Sequence, residues 1–157
     1  MEFTDEQFKE IKQKAEKLYK SLGGVFCPYF KEKISFNAQG LEHLKFQKHN
    51  HMRPRHIQYV RFKLLHLAPQ IIGLSYTLQG LSHKMNFEWI RINSRTEYVL
   101  KLVSYYEFVS ILEGKRMRII IKQIGDGQKF YWSIIPFWKQ DKIMDIRRMS
   151  YGNPESD

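Results

Sequence analysis

This sequence contains a single cysteine and no long run of apolar residues. Cys27 is the only cysteine, which excludes an internal disulfide and a cysteine-based zinc site. No run of about eighteen apolar residues occurs, so the sequence predicts no membrane-spanning helix. The first residues include Glu2, Asp5 and Glu6, which is too acidic a start for a signal or transit peptide. We therefore expect a cytoplasmic protein without a membrane partner.

Acidic residues are missing from one long part of the chain. No Asp or Glu occurs between Glu42 and Glu88, although the whole chain has 16 acidic residues against 26 basic ones and a formal net charge of +10. A solvated helix normally interleaves both signs, whereas an acid-free stretch suits the neutralisation of several phosphates. RNA is therefore the expected partner. The predicted RNA-binding residues are Lys45, Lys48, Arg53, Arg55, Arg118 and Tyr131.

The first half of the chain predicts helices. Apolar residues recur at helical spacing over residues 4–22, with Thr4 and Gln7 as a capping box and glycines at the end. A strand or loop leading into a helix is expected over residues 34–46. A further basic helix is expected from about residue 54 to residue 67, with Pro54 in its first turn and Pro69 as its stop.

The second half predicts strands, over residues 97–112 (one or two strands), 117–124 and 130–137. This order indicates an α+β fold in which N-terminal helices pack on a curved, mostly antiparallel four-stranded sheet. We expect one domain over residues 1–142, with an additional helix in residues 1–24, and a loose polar tail over residues 143–157.

A tight turn at Asp126-Gly127 would fix the register of the last hairpin. Ile120 would then lie opposite Ser133, Lys122 opposite Tyr131, and Arg118 opposite Ile135. Alternation along the strands would place four polar residues on one face, namely Arg118, Lys122, Tyr131 and Ser133. The opposite face would be core, formed by Met117, Ile119, Ile121, Phe130, Trp132 and Ile134.

This layout suits RNA cleavage without a metal, in which the 2′-hydroxyl attacks its own phosphorus. We predict His43 as the proton-transfer group, because histidine titrates near neutral pH. Arg61 and Lys122 are predicted to stabilise the phosphoryl oxygens, and Ser133 to donate a hydrogen bond to them. Tyr131 or Trp132 would stack on a base.

Each of these residues also has a structural interpretation. His43 fits a half-buried histidine bonded to a backbone carbonyl, and Ser133 fits an ordinary strand residue. Trp132 fits the core, and Arg61 could pair with an acid. His49-Asn50-His51 with His56 matches no zinc spacing and lies among cations, so we expect no metal and no cofactor.

Three stretches of the sequence together resemble a known group of nucleases. The segments "SFNAQGLEHLKF" and "RPRHIQYVRFKLLHLAP" precede "KRMRIIIKQIGDGQKFYWSIIPFWK", and together they span roughly residues 34–138. This block resembles the phage- and mobile-element-associated nucleases of the barnase/EndoU/colicin/RelE-like superfamily. The resemblance implies a metal-independent ribonuclease of toxin type, held in check by an antitoxin protein. It places the histidine at His43, the basic positions at Arg61 and Lys122, and the hydroxyl at Ser133.

Three functions remain open on these observations. The first is a toxin-type endoribonuclease, and the second is a non-catalytic RNA- or DNA-binding module that uses the same basic surface. The third is an interaction protein whose basic surface docks an acidic partner. The three differ in whether RNA is cleaved and in how steeply binding depends on salt.

Overall fold

The computed structural model describes residues 2–136, which form an α+β fold of four helices and a six-stranded mixed sheet. The helices are α1 Asp5–Leu22, α2 Ala38–Lys45, α3 Arg55–Leu64 and α4 Leu67–Gly73, with a short 3-10 turn at Lys48–Asn50 between α2 and α3. The strands are β1 Gly24–Cys27, β2 Glu32–Ser35, β3 Gly80–Ile92, β4 Arg95–Leu112, β5 Lys115–Ile124 and β6 Phe130–Pro136. The predicted tail over residues 143–157 and the domain boundary at residue 142 lie outside the described residues.

The helix signals in the sequence are largely confirmed. The Thr4 hydroxyl accepts a hydrogen bond from the Gln7 backbone, and the Gln7 side chain accepts one from the Thr4 backbone. Pro54 directly precedes α3, as its fixed φ favours. The stop predicted at Pro69 is wrong, because Pro69 lies in the first turn of α4. A missing N–H is tolerated in a first turn, so the chain resumes a helix after a short break.

The strand order in the sheet is β1-β2-β6-β5-β4-β3. All neighbours are antiparallel except β2 and β6, which are parallel and meet at Ser35 and Phe130. The prediction of four strands is wrong, because β1 and β3 were missed. β1 has four residues and begins with glycine. β3 carries three consecutive polar residues, Ser82 to Lys84, before its alternation of apolar and polar residues begins, which weakens the strand signal.

The last hairpin is connected by five residues rather than by the predicted two-residue turn. β5 ends at Ile124 and β6 begins at Phe130. The pairings of Ile120 with Ser133 and of Arg118 with Ile135 are confirmed, whereas Lys122 lies opposite Phe130 instead of Tyr131.

A β-bulge explains the shift in this hairpin. Ile120 pairs with Ser133 and Ile121 pairs with Tyr131, so Trp132 is an extra residue in β6. Tyr131 is consequently turned to the opposite face from Lys122. The prediction that Tyr131 shares a face with Lys122 is therefore wrong, as is the assignment of Phe130 and Trp132 to the other face.

Two apolar clusters lie on the two sides of the sheet. The larger one joins the helices to β2, β5 and β6, and it includes Phe62, Leu65, Ile72, Ile119, Ile121, Tyr131 and Ile134. The smaller one consists of Val103, Tyr105, Ile120, Phe130, Trp132 and Ile135. Lys122 contacts this second cluster through the rings of Tyr105 and Trp132. Across residues 2–136, we find no helix of the length and apolarity that a bilayer crossing requires.

Candidate functional site

A pocket of about 470 Å³ lies between the helical part of the protein and the hairpin of β3 and β4. That hairpin extends beyond the end of β5, since Ile124 pairs with Val103, which in turn lies opposite Lys84. We call residues 84–102 the arm. The pocket wall combines α2, the 3-10 turn, the arm, and residues of β5 and β6. It includes Glu42, His43, Lys48, Phe87, Glu88, Trp89, Tyr98, Lys122 and Trp132.

The arm bends back over the sheet. Lys122 lies opposite Tyr105, and Tyr105 lies opposite Ser82. Glu88 is six residues further along β3, which is about 20 Å in an extended strand. The Lys122 ammonium nevertheless lies 2.8 Å from the Glu88 carboxylate. A flat ribbon could not make this contact, so the bend of the arm forms one wall of the pocket.

Lys122 occupies the floor of the pocket, with only 1% of its surface exposed. Its ammonium lies 4.0 Å from the centre of the Trp132 ring and forms the ion pair with Glu88. The Asn86 side-chain amide donates a hydrogen bond to the same Glu88 oxygen at 2.9 Å. Glu88 is therefore a fixed carboxylate beside a fixed cation.

His43 projects from α2 and stacks on Trp132, with ring centres 4.0 Å apart and planes 20° from parallel. The Arg53 side chain donates one hydrogen bond to the His43 carbonyl and places a second nitrogen 2.9 Å from His43 Nε2. Because arginine has no acceptor, Nε2 must be the acceptor, and the neutral ring then carries its hydrogen on Nδ1. His43 thus holds Arg53 and Trp132 together.

The environment of His43 keeps its imidazole neutral. Burial lowers the pKa of His43 far below its ordinary value, and the charges of Arg53, Arg61 and Lys122 lower it further. A neutral ring whose Nε2 already accepts a hydrogen bond is a poor proton-transfer group at neutral pH. The proton-transfer role of His43 stays a prediction, and a positioning role fits its contacts better.

Arg61 and Ser133 form a buried link between α3 and β6. Arg61 Nη1 donates a hydrogen bond of 2.6 Å to Ser133 Oγ, and Ser133 has no exposed surface. Tyr131 is packed nearby on the other face of the strand, and burial raises its pKa although Arg61 and Arg53 act in the opposite direction. The Arg61–Ser133 pair thereby anchors the strand that carries Trp132.

The structure brings together all four residues that the sequence predicts as catalytic. His43, Arg61, Lys122 and Ser133, with the predicted RNA-binding residue Arg53, are linked in one group, which we call the buried polar cluster. His43 and Lys122 contact the Trp132 ring, Arg53 bonds to His43, and Arg61 bonds to Ser133 and acts on the charge of His43. Each of its five members is at most 5% exposed. Lys122 and His43 line the pocket, so they are the cluster members best placed for a ligand.

The other predicted RNA-binding residues are not gathered in this way. Lys45 forms ion pairs with Glu16 and Glu42, Arg55 pairs with Asp5, and Arg118 pairs with Glu107. The acid-free stretch of sequence therefore receives carboxylates from other parts of the chain. Lys48 is exposed and lines the pocket, whereas Tyr131 is fully buried in the larger apolar cluster.

Sequence reasoning missed the contribution of the arm. In the sequence, Glu88 marks only the end of the acid-free stretch, and no role is predicted for it or for the aromatic residues near it. Phe87 and Trp89 alternate along β3 with Tyr98 opposite Trp89, which is the period of a strand with one apolar face. That period is visible in the sequence and could have identified β3. The contact of Glu88 with Lys122 has no sequence signal.

Metal-binding geometry is not found in the part of the chain that the structure describes. No group of three or more His, Cys, Asp or Glu side chains there is arranged to hold an ion. Comparison of the chain with family models, with curated proteins and with solved structures finds no match in any of the three. Any assignment of function must therefore rest on the site itself.

Proposed function

We propose that this chain is a metal-independent endoribonuclease whose active site is the pocket between α2 and the arm. The observation that carries the proposal is that His43, Arg61, Lys122 and Ser133 lie in one buried polar cluster, in which His43 and Lys122 contact Trp132. These residues lie far apart in the sequence, and the sequence analysis predicts all four for the same RNA-cleavage reaction. The resemblance to the barnase/EndoU/colicin/RelE-like superfamily enters as part of the proposal, and the α+β fold is compatible with it.

The proton acceptor in this proposal is Glu88 rather than His43. Glu88 lies in the pocket wall, held by Lys122 and Asn86. It takes the proton of an RNA 2′-hydroxyl while that oxygen forms a bond to the adjacent phosphorus. The bond from phosphorus to the 5′ oxygen breaks, and that oxygen takes a proton from the Lys122 ammonium. The proton that Glu88 took up then passes to Lys122, which lies 2.8 Å away, so both groups return to their starting states. The products are a 2′,3′-cyclic phosphate and a free 5′-hydroxyl.

Electrostatic stabilisation comes from Lys122. Negative charge develops on the phosphoryl oxygens during the reaction, and a preorganised cation in a site shielded from water stabilises it strongly. Lys122 contacts the substrate in this proposal. Arg53, Arg61 and Ser133 hold His43 and β6 in place and act as positioning residues, because they do not line the pocket.

The decisive experiment compares Glu88→Gln with a matched control. Purified protein is incubated with total RNA in EDTA, and the fragment ends are mapped. Loss of the general base should lower the cleavage rate by about 10²- to 10⁴-fold. Glu97→Gln removes a carboxylate from the same arm but from outside the pocket wall, and it should cleave at nearly the wild-type rate. Wild-type protein that leaves RNA intact would end the proposal.

A non-catalytic RNA- or DNA-binding module is the second candidate, and one observation favours it. Most of the buried polar cluster is inaccessible to a ligand, and its histidine is neutral. Such a protein would bind an oligonucleotide in a salt-dependent manner. Binding without cleavage under all tested conditions, unchanged by Glu88→Gln, would select this candidate over the enzyme.

The toxin role and the antitoxin partner rest on the resemblance alone, and we propose them only on the condition that the chain cleaves RNA. Expression of an RNA-cleaving chain should slow growth, and Glu88→Gln should relieve the effect at equal protein level. Suppose that the protein cleaves RNA in the test tube but that cells expressing it at a high level grow at the full rate. The chain would then be a ribonuclease without a toxin role.

A further inference from the structure

Three aromatic residues that line the pocket have largely exposed side chains. Phe87, Trp89 and Tyr98 are 53%, 63% and 56% exposed, respectively. The Tyr98 ring lies 5.3 Å from the Phe87 ring and 5.0 Å from the Trp89 ring, centre to centre. We call these residues the aromatic trio. All three also line the pocket that contains Lys122 and Glu88.

The aromatic trio belongs to a longer apolar stripe. Met85 lies opposite Leu102 and Phe87 lies opposite Leu100, on the same face as the pair of Trp89 and Tyr98. These additional side chains are also about half exposed. Contiguous exposed apolar surface of this kind marks an interaction site more often than single exposed residues do.

The charge of the arm favours a polyanion as the occupant of this surface. The exposed charged residues of the arm are all cationic, namely Lys84, Arg91, Arg95 and Lys101. Its two acids, Glu88 and Glu97, are only partly exposed, and Glu88 is paired with Lys122. Arg91 lies on the same face of the ribbon as the aromatic trio, and Lys84, Arg95 and Lys101 lie on the opposite face, so phosphates bound along the arm would meet cations on both faces. An RNA strand supplies both negative phosphates and flat bases.

We infer that the aromatic trio is a stacking platform for unpaired bases of an RNA strand whose backbone enters the pocket. The inference rests on the proposed function and adds a substrate class, since paired bases cannot be offered to exposed rings in this way. The protein should therefore select single-stranded over double-stranded RNA. Base-to-ring stacking tolerates any base, so little sequence preference is expected from this surface.

The test measures binding separately from cleavage. A labelled 2′-O-methyl oligonucleotide of about a dozen nucleotides is used, single-stranded or annealed to its complement, because a blocked 2′-oxygen cannot attack. Fluorescence anisotropy should show Trp89→Ala and Tyr98→Ala binding the single strand about 10- to 100-fold more weakly than wild type. Trp89→Phe, which keeps a ring, should retain most of the affinity. Ile111→Ala is the matched control, since Ile111 is an exposed β4 residue outside both arm and pocket.

Three results would overturn the inference. In the first, Trp89→Ala and Tyr98→Ala bind the single strand as tightly as wild type does, and wild type still cleaves RNA. This result contradicts the stacking platform but not the proposed function. Wild-type protein that neither binds the oligonucleotide nor cleaves RNA removes the proposed function and the platform together. A wild-type dimer that becomes monomeric in Trp89→Ala by light scattering assigns the stripe to a second copy of the chain.

Discussion

The buried polar cluster and the arm meet at one pocket but are built by opposite means. In the cluster, charged groups lie beneath the surface and are held by one another and by the Trp132 ring. In the arm, apolar groups lie in the open on a two-stranded ribbon whose exposed charges are all positive. The difference indicates that the two regions have different roles. The cluster holds the side chains of the pocket in position, whereas the arm offers an exposed surface for contact with a ligand. Glu88 is the residue that joins them through Lys122.

The comparison predicts that cluster substitutions cost stability and arm substitutions do not. Arg61→Ala removes a buried side chain and its hydrogen bond to Ser133, so it should lower the free energy of unfolding by about 3 kcal/mol. Urea unfolding followed by circular dichroism measures the change. Arg91→Ala, an exposed arginine on the arm, should stay within about 0.5 kcal/mol of wild type. Equal losses in both variants would abolish the distinction.

The pH dependence of stability should come from the buried polar cluster, through His43. The pKa of His43 is lowered in the folded state, so below about pH 6.5 the unfolded chain binds a proton that the folded chain does not. The free energy of unfolding should therefore fall as pH drops from about 6.5 to 5, by up to about 1.4 kcal/mol per pH unit from this residue. Above about pH 6.5 the contribution is fully present.

His43→Phe isolates this effect, because it keeps a ring on Trp132 but removes the titrating group. The pH slope of wild type should exceed that of His43→Phe over this interval, as measured by urea unfolding at each pH. Identical slopes in the two proteins would show that folding leaves the pKa of His43 unshifted, which would restore its predicted role in proton transfer.

The smallest expected effect belongs to the arm. Leu100→Thr replaces a half-exposed leucine by a residue that favours strands, and it should change the free energy of unfolding by less than about 0.5 kcal/mol. Thermal unfolding with wild type in parallel gives the answer. A loss comparable to that of Arg61→Ala would mean that the arm packs against other parts of the protein and is unavailable to RNA.

Much of the fold could be predicted from local sequence. The capping box of α1, the helix beginning after Pro54, and the strands β4, β5 and β6 each carry their own periodicity or turn residues. β1 and β3 were missed because β1 is very short and β3 carries three consecutive polar residues, Ser82 to Lys84, before its alternation begins. The bulge at Trp132 was not predictable either, since nothing local marks an extra residue there.

Four residues of the buried polar cluster were named from the sequence and their catalytic roles stay predictions, whereas their arrangement and the contribution of Glu88 were not predicted. His43, Arg61, Lys122 and Ser133 were identified from residue type and position along their elements. Their burial, the hydrogen bond from Arg53 to His43 and the ion pair with Glu88 depend on elements distant in sequence. Similarly, Lys45 and Arg55 looked available for phosphate until the fold brought Glu16 and Asp5 to them.

The sequence by itself determined the helices of the first half, the strands of the second, the positive charge and the alternation that leaves apolar rings along the arm. These depend on neighbours within a few residues, whose spacing is fixed by backbone geometry. Only the tertiary structure decided that the arm bends over Lys122 and that His43 is buried between Arg53 and Trp132. Coulomb interactions and desolvation depend on distance in space, and distance in space between remote residues is set by packing.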